Sequence, residues 1–334
     1  MKRPLPPLRV LTLLALAVGA LFAPIPSSVF AQSDDAANGL EISPVLVELN
    51  TEPVGSYNVN IKVRNVTKST LFFSTSVDDF GAKNESGEPN IVLEEDGEPL
   101  PTSIKSWVEP IPAFTLVPNE EYEVNATINV PEGAEPGGHY GVIRFSGHTS
   151  SDDNGNVGLV ASAGTLILAR VRGDAKESLD LASFEATKNG RAGLIFESGP
   201  ITFVSRFTNS GSVHLKPIGQ IEIKDSFGGI VASLPVNDAK GNVLPSSTRR
   251  FETTLDESWM FGRYTADISI AYGTTGQAIV RTINFWVIPW KIVLAVVLFA
   301  GTLIYILKMV LQRYNSYIIK KDRAGRKNSK PKRK

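Results

Sequence analysis

Three segments of the chain alternate apolar and polar side chains with a strict period of two, and that period dictates most of what it can become. Tyr57, Val59, Ile61 and Val63 alternate with Asn58, Asn60, Lys62 and Arg64. Tyr122, Val124, Ala126, Ile128 and Val130 alternate with Glu123, Asn125, Thr127 and Asn129. Tyr264, Ala266, Ile268, Ile270 and Tyr272 alternate with Thr265, Asp267, Ser269 and Ala271. Side chains along a strand point to opposite faces in turn, so this pattern means strands buried on one face only. Antiparallel sheets packed face to face as sandwiches are the architecture that uses such strands. No long helical period interrupts residues 32–286, a stretch long enough for two domains of ordinary size.

The two halves of that stretch echo each other. An alternating strand ends at Arg64-Asn65-Val66-Thr67 in one and at Phe207-Thr208-Asn209-Ser210-Gly211 in the other. Leu116-Val117-Pro118-Asn119-Glu120 is matched by Leu244-Pro245-Ser246-Ser247-Thr248, each ahead of a strand. Gly138-His139-Tyr140 is matched by Gly262-Arg263-Tyr264, each opening a strand after a turn. The expected fold class is therefore mainly β, two tandem Ig-like β-sandwiches spanning residues 32–174 and 175–286. The boundary falls near residues 173–176, where the apolar run 166–171 gives way to charge. The first half carries extra sequence at residues 79–113.

Both ends of the chain are built for a membrane. Lys2, Arg3 and Arg9 precede an apolar run at residues 10–22, and Val29-Phe30-Ala31 supplies a cleavage site, so residues 1–31 read as a signal peptide. Near the other end no residue is charged between 292 and 307. Trp286 and Trp290 stand on one side of that run and Tyr305, Tyr314 and Tyr317 towards the other, as in the aromatic belts at the two headgroup levels. A transmembrane helix is expected at residues 287–312, with a basic tail at 313–334. By the positive-inside rule that tail lies in the cytoplasm and both sandwiches lie outside, a single-pass arrangement in the cell membrane. No L-P-x-T-G sequence precedes the helix, so it reads as a permanent anchor.

Charge follows the same division. The chain as a whole holds 34 basic and 34 acidic residues, yet residues 32–307 hold 20 basic against 33 acidic. An exposed part this negative is not a nucleic-acid binder. Zero cysteines excludes disulfides, thiolate metal sites and cysteine nucleophiles, and fits a bacterial surface protein better than a eukaryotic one. Asn65, Asn84 and Asn125 begin N-x-S/T triplets, which matter only in a glycosylating host.

The motifs of catalysis are missing. The three histidines, His139, His148 and His214, read as polar surface residues near turns and strand ends. No G-x-S-x-G, H-E-x-x-H or G-x-x-x-x-G-K-[ST] occurs. Asp152-Asp153-Asn154-Gly155-Asn156 resembles the start of a calcium loop but has Val157 at position six and Ala163 at position twelve, where Gly and Glu belong. Glu94-Glu95-Asp96-Gly97-Glu98 reads as a charged turn. No catalytic residue, cofactor or metal is expected.

One residue stands out as a binding candidate. Trp107 lies in the irregular stretch 79–113, where a long connection is more often functional than a simple link. It could stack on a sugar ring or anchor a protein contact. The competing reading has Ile104, Trp107 and Val108 in a short strand whose Trp plugs the sandwich.

Signal, sandwich, second sandwich, anchor and basic tail form a layout that resembles the WxL-interacting surface proteins of Gram-positive bacteria. Leu116-Val117-Pro118-Asn119-Glu120 resembles that family's proline-containing link into a strand. Pro136-Gly137-Gly138-His139-Tyr140-Gly141-Val142-Ile143 is similar to the Gly-rich turn and strand that close its first domain. The resemblance implies a first domain associated with peptidoglycan and a second with partner or host proteins. The expected function is thus a non-enzymatic surface binding or scaffold protein contacting cell-wall polymer or a surface protein. A cell-wall glycan hydrolase with an unrecognised carboxylate pair, or an accessory subunit of a membrane complex, are the alternatives. The topology has a direct test: protease added to intact cells should remove the sandwiches and spare a tag placed after Lys334, and loss of that tag without permeabilisation would reverse the orientation.

Overall fold

The alternating segments pair as antiparallel strands in the computed structural model, which describes residues 39–93, 100–149 and 158–328. The first sandwich contains β1 (Leu40–Ser43), β2 (Leu46–Thr51), β3 (Ser56–Asn65), β4 (Leu71–Lys83), β5 (Glu88–Val92), β6 (Phe114–Leu116), β7 (Glu121–Asn129), β8 (Gly137–His148) and β9 (Leu159–Val171). A small sheet ordered β1-β3-β7 faces a larger one ordered β2-β9-β8-β4-β5, with β6 paired to β4. The second sandwich contains β10 (Leu179–Lys188), β11 (Arg191–Ala192), β12 (Ile195–Phe196), β13 (Ile201–Asn209), β14 (Ile218–Lys224), β15 (Ile230–Val236), β16 (Ser247–Leu255), β17 (Gly262–Tyr272) and β18 (Gln277–Val287). Its sheets run β11-β10-β13-β16 and β12-β18-β17-β14-β15. The protein is mainly β, two Ig-like sandwiches followed by one long apolar helix.

The sequence period maps onto burial as a half-buried strand requires. Val59, Ile61 and Val63 of β3 lie beside Val124, Ala126 and Ile128 of β7 on the inward face of one sheet, inside the first core. Tyr264, Ala266, Ile268 and Ile270 of β17 enter the second core with Phe203, Phe207 and Phe285. Tyr122 breaks the pattern, being half-exposed, with its ring against that of Phe114 at a centroid distance of 4.8 Å.

The echo between the halves has a physical basis in a fully buried asparagine. Asn65 ends β3; its Nδ2 donates to the carbonyls of Ser69 (2.8 Å) and Leu116 (3.0 Å), and its Oδ1 accepts from the Thr67 amide and hydroxyl. Asn209 ends β13; its Nδ2 donates to the carbonyls of Val213 (2.7 Å) and Val243 (2.8 Å), and its Oδ1 accepts from the Gly211 amide. Each asparagine carbonyl also accepts from a residue with positive φ directly after a proline, Asn119 in one half and Ser246 in the other. A buried amide left unpaired would cost about 1–3 kcal/mol, so each clamp fixes two loops to one strand end. The clamps align Pro118 with Pro245, which moves the second landmark by one position from the sequence match. The Asn65 amide nitrogen, being buried and bonded, is closed to modification in the folded chain.

Two expectations about the first half change. The stretch 79–113 is not one irregular connection: β4 runs on to Lys83 and turns into β5, and residues 103 and 108 bridge to Tyr140 and Ile128. Residues 94–98, read as a charged turn, and 152–156, read as a solvated loop that only resembles the start of a calcium loop, lie outside the described residues, as does the 1–31 leader. Ile104 is fully buried and Trp107 is 6% exposed, inside the first core.

After Val287, two residues lead into α1 (Trp290–Asn328), whose segment Trp290–Ser316 is long and apolar enough to cross a membrane. Residues 286 and 287 belong to β18, so the helix starts later than 287, and it continues through much of the stretch read as tail. With Trp107 as core, Trp107→Ala should destabilise the protein by about 3–5 kcal/mol. Asn60→Ala, on the water face of β3, should stay within about 0.5 kcal/mol; denaturant titration of both variants checks the pair.

Candidate binding cleft between the sandwiches

Strand β8 is buried along almost its whole length, whereas β3 of the opposite sheet alternates. Its odd residues Ile143 and Phe145 face the first core, and its even residues Tyr140 and Val142 face outward. On that outer face they join Phe80 of β4 and Leu168 of β9 in a separate apolar cluster, completed by Leu166 and by Leu244 from the second sandwich. The outer face of the larger sheet is therefore a docking surface, and the second sandwich covers it. Burial of rings and branched chains here contributes about 25 cal/mol per Å² removed from water.

Polar contacts frame the apolar patch on two sides. On the first side the β4–β5 hairpin reaches out like a strut. Glu85 at its tip accepts from Arg206 Nε of β13 at 2.9 Å, and its carbonyl accepts from the Arg250 amide of β16 at 2.8 Å. The Glu85 carboxylate keeps Arg206 more firmly protonated than usual, first through this hydrogen bond and then through charge. Gly87, with φ of 80°, and Gly241 lie on the Arg249 guanidinium, and a Cβ at either would collide with it. Arg249 donates through Nη1 to the Asn242 carbonyl (2.7 Å) and lies 5.2 Å from the Phe251 ring centroid. Burial pushes its pKa downward from the ordinary arginine value.

On the second side, Glu48 of β2 accepts from Lys216 (2.5 Å) and from Asn242 Nδ2 (2.7 Å). Burial raises the Glu48 pKa, but the hydrogen bonds from Lys216 and Asn242 and the lysine charge outweigh it, so the carboxyl sits below its usual range. Arg170 of β9 donates to Glu177 (2.5 Å), whose other oxygen accepts from the Thr274 amide (2.8 Å). His214 closes the row: its Nδ1 lies 3.3 Å from the Tyr140 hydroxyl, and the two rings meet edge to face at 5.7 Å.

Between strut and sheet a cavity of about 220 Å³ remains. Phe80, Leu166, Leu168 and Leu244 supply its apolar wall, with Asn242 and Arg249 among its polar lining. Asn242 Oδ1 and Arg249 Nε are both buried without a hydrogen-bond partner in the protein. Both atoms are closed off from the cavity, so a ligand there would meet mainly the apolar wall and the remaining polar lining. A second, more open depression of about 420 Å³ lies on the other side, lined by Glu48, Arg170, His214, Lys216 and Thr274.

The residues singled out from sequence fall elsewhere. Trp107 is in the first core, its ring 4.5 Å from that of His139, and lines neither cavity. His139 is buried and His214 half-buried, where both were read as surface residues. His139 is 5% exposed on the core side of β8, with Nε2 2.9 Å from the Glu135 carbonyl, and His214 is held in the junction. His148 pairs with Ser74 at 3.2 Å across the β4–β8 edge. Among the described residues no group of three or more His, Asp or Glu side chains is placed to hold a metal ion. Glu48, Asn242, Arg249 and His214 gave no local signal for the cleft, because each finds its partners in a distant segment or across a turn. The glycines in Asn84-Glu85-Ser86-Gly87 and Lys240-Gly241 were the only hint that something approaches closely.

No family model and no curated protein matches the sequence. Among solved structures it is similar to the class 5 fimbriae chaperone CfaA, at 12% identity over 73% of this chain and 98% of that chain, with a TM-score of 0.36. The E. coli chaperone DraB gives 14% identity over 74% and 96%, with a TM-score of 0.30. The Salmonella enterica SafA pilin in complex with the SafB chaperone gives 9% over 75% and 100%, with a TM-score of 0.32. Values this low carry no functional assignment.

The junction has a pH signature. Burial first, then the charges of Lys216 and Arg170, push the His214 pKa from 6.5 down to about 4 against the opposing pull of Glu48. Between those values the unfolded chain binds a proton that the folded chain refuses, so stability is full above pH 6.5 and falls as pH drops towards 4. At pH 5 the loss from this group is about 2 kcal/mol, at ~1.4 kcal/mol per pH unit. Thermal melts from pH 7.5 to 5 should show this slope in the native protein and a flatter one in His214→Gln; identical slopes would assign the effect to another group.

Proposed function

We propose that the chain is a non-enzymatic, membrane-anchored bacterial surface protein that binds cell-wall polymer or a surface protein through the cleft between its sandwiches. The observation that carries this reading is the cavity itself: an apolar wall of Phe80, Leu166, Leu168 and Leu244, with Asn242 and Arg249 in its polar lining. Rigid framing supports it, since ion pairs and glycine-backed arginine packing hold the walls in place without a ligand. A preformed site loses little entropy when its ligand arrives. The layout resemblance to the WxL-interacting surface proteins supports cell-wall polymer and a protein partner as the two ligand classes. The outside location of the sandwiches belongs to the same proposal and rests on the basic residues after Leu311.

The test uses the full chain in lipid nanodiscs, mixed with purified Gram-positive wall fragments and, separately, with detached surface proteins. Ala82 lines the cavity from β4, and Ala82→Trp should fill it. Binding should fall at least tenfold, about 1.4 kcal/mol, with the melting temperature unchanged. Equal binding by both forms would place the ligand outside the cleft, and release of soluble glycan fragments would make the protein a hydrolase.

A further inference from the structure

The end of the second sandwich nearest α1 exposes three large aromatic side chains: Trp259 at 83%, Phe261 at 70% and Phe227 at 98%. Scattered apolar exposure is ordinary, but rings this bare on two adjoining loops form a patch that water alone does not account for. Neither loop is loosely held. Trp259 and Phe261 flank Met260, which is buried in the second core, and the Phe261 amide donates to the Tyr264 hydroxyl at 3.2 Å. The Phe227 turn is closed by Asp225, whose Oδ1 accepts from the Phe227 and Gly229 amides at 2.8 Å each. Ser226 then ties that turn to the other loop by donating to the Arg263 carbonyl at 2.9 Å. The rings are held outward by structure that spends its polar groups inward.

Their level is set by strand pairing. Gly262 pairs with Val287, the last residue of β18, and the helix begins three residues later. The loop before Gly262 therefore overhangs the first turns of α1. Trp259, Met260 and Phe261 indeed share an apolar depression with Ile292, Val293 and Val297 of the helix. Val297 lies seven residues into α1, about 10 Å along its axis at 1.5 Å per residue. With Trp290 at the headgroup level, a group beside those residues sits at the depth where amphipathic elements enter the boundary between headgroups and acyl chains, about 5–10 Å.

We infer that this end of the second sandwich is a second membrane contact, with Trp259, Phe261 and Phe227 entering the lipid interface beside α1. A lone helix can tilt in the bilayer and carry the sandwiches with it; a three-ring foot beside it holds them at one angle. The inference rests on α1 crossing the membrane, as the proposed anchoring requires.

The cysteine-free chain allows one label per variant. Full-length protein carrying Phe227→Cys, Phe261→Cys, Val280→Cys or Leu303→Cys, each with a nitroxide, is reconstituted in vesicles of phosphatidylcholine and phosphatidylglycerol. Spin relaxation is then compared with molecular oxygen, which concentrates in lipid, and with a water-soluble nickel chelate. Val280 is exposed on β18 seven residues before Val287, about 24 Å along the strand from its end, and serves as the aqueous reference. Labels at 227 and 261 should favour oxygen over the chelate, as at 303, and unlike 280. Labels at 227 and 261 that behave like 280 while 303 is lipid-exposed overturn the inference and leave the anchor standing. An aqueous label at 303 overturns both. Oxygen preference at 227 and 261 that disappears when the protein is diluted into excess lipid identifies a contact between copies and also overturns it.

Discussion

The outer face of the larger first-sandwich sheet governs the rest of the molecule. Phe80, Tyr140, Val142 and Leu168 are buried on the side of that sheet away from its own core. A sandwich ordinarily presents polar side chains there, as β3 does with Asn58, Asn60 and Lys62. An apolar outer face has to be covered, and the second sandwich covers it. The relative placement of the two sandwiches, the cavity between them and the loss of alternation in β8 all follow from that one requirement.

Polar contacts turn the cover into a rigid joint. Apolar burial is non-directional and would tolerate sliding between two sandwiches. The Glu85–Arg206 and Glu48–Lys216 pairs lie on opposite sides of the patch and resist rotation about it. Each pair is partly exposed and contributes little energy alone; their value is geometric. Arg249, wedged against two glycines, fills the space where side chains would otherwise keep strut and loop apart. The same rigidity continues downward, because β18 passes into α1 through only Ile288 and Pro289, with the Ile288 amide donating to the Phe196 carbonyl at 2.8 Å. Cleft, second sandwich and helix therefore share one mechanical frame.

Local pattern was legible wherever one residue's neighbours in sequence were also its neighbours in space. Alternation in β3, β7 and β17 gave strands and their inward faces, and the uncharged run after residue 291 gave the helix. The repeated Asn and Pro landmarks reflected two copies of the same buried clamp. The stretch 79–113 was misjudged because half of it, the β4–β5 hairpin, gains its purpose from contact with Arg206 and Arg250, over a hundred residues away. His139 and His214 looked like surface residues because a lone histidine carries no sign of which face of a strand it occupies. Tyr140 and Tyr264 sit in matching Gly-x-Tyr motifs, yet one faces the junction and the other a core.

The sequence by itself determined the class of fold, the clamped strand ends and the apolar helix, since side-chain period and loop chemistry act over a few residues. It also determined the charge separation between the bulk of the chain and its basic end. Only the tertiary structure decided that Trp107 belongs to a core, that Gly87 and Gly241 make room for Arg249, and that Asn242 and Arg249 line one cavity with Phe80 and Leu168. It alone brought Trp259, Phe261 and Phe227 to the end of the sandwich beside α1. These outcomes depend on which sheet face meets which partner, and pairwise contact between distant segments leaves no period in either of them.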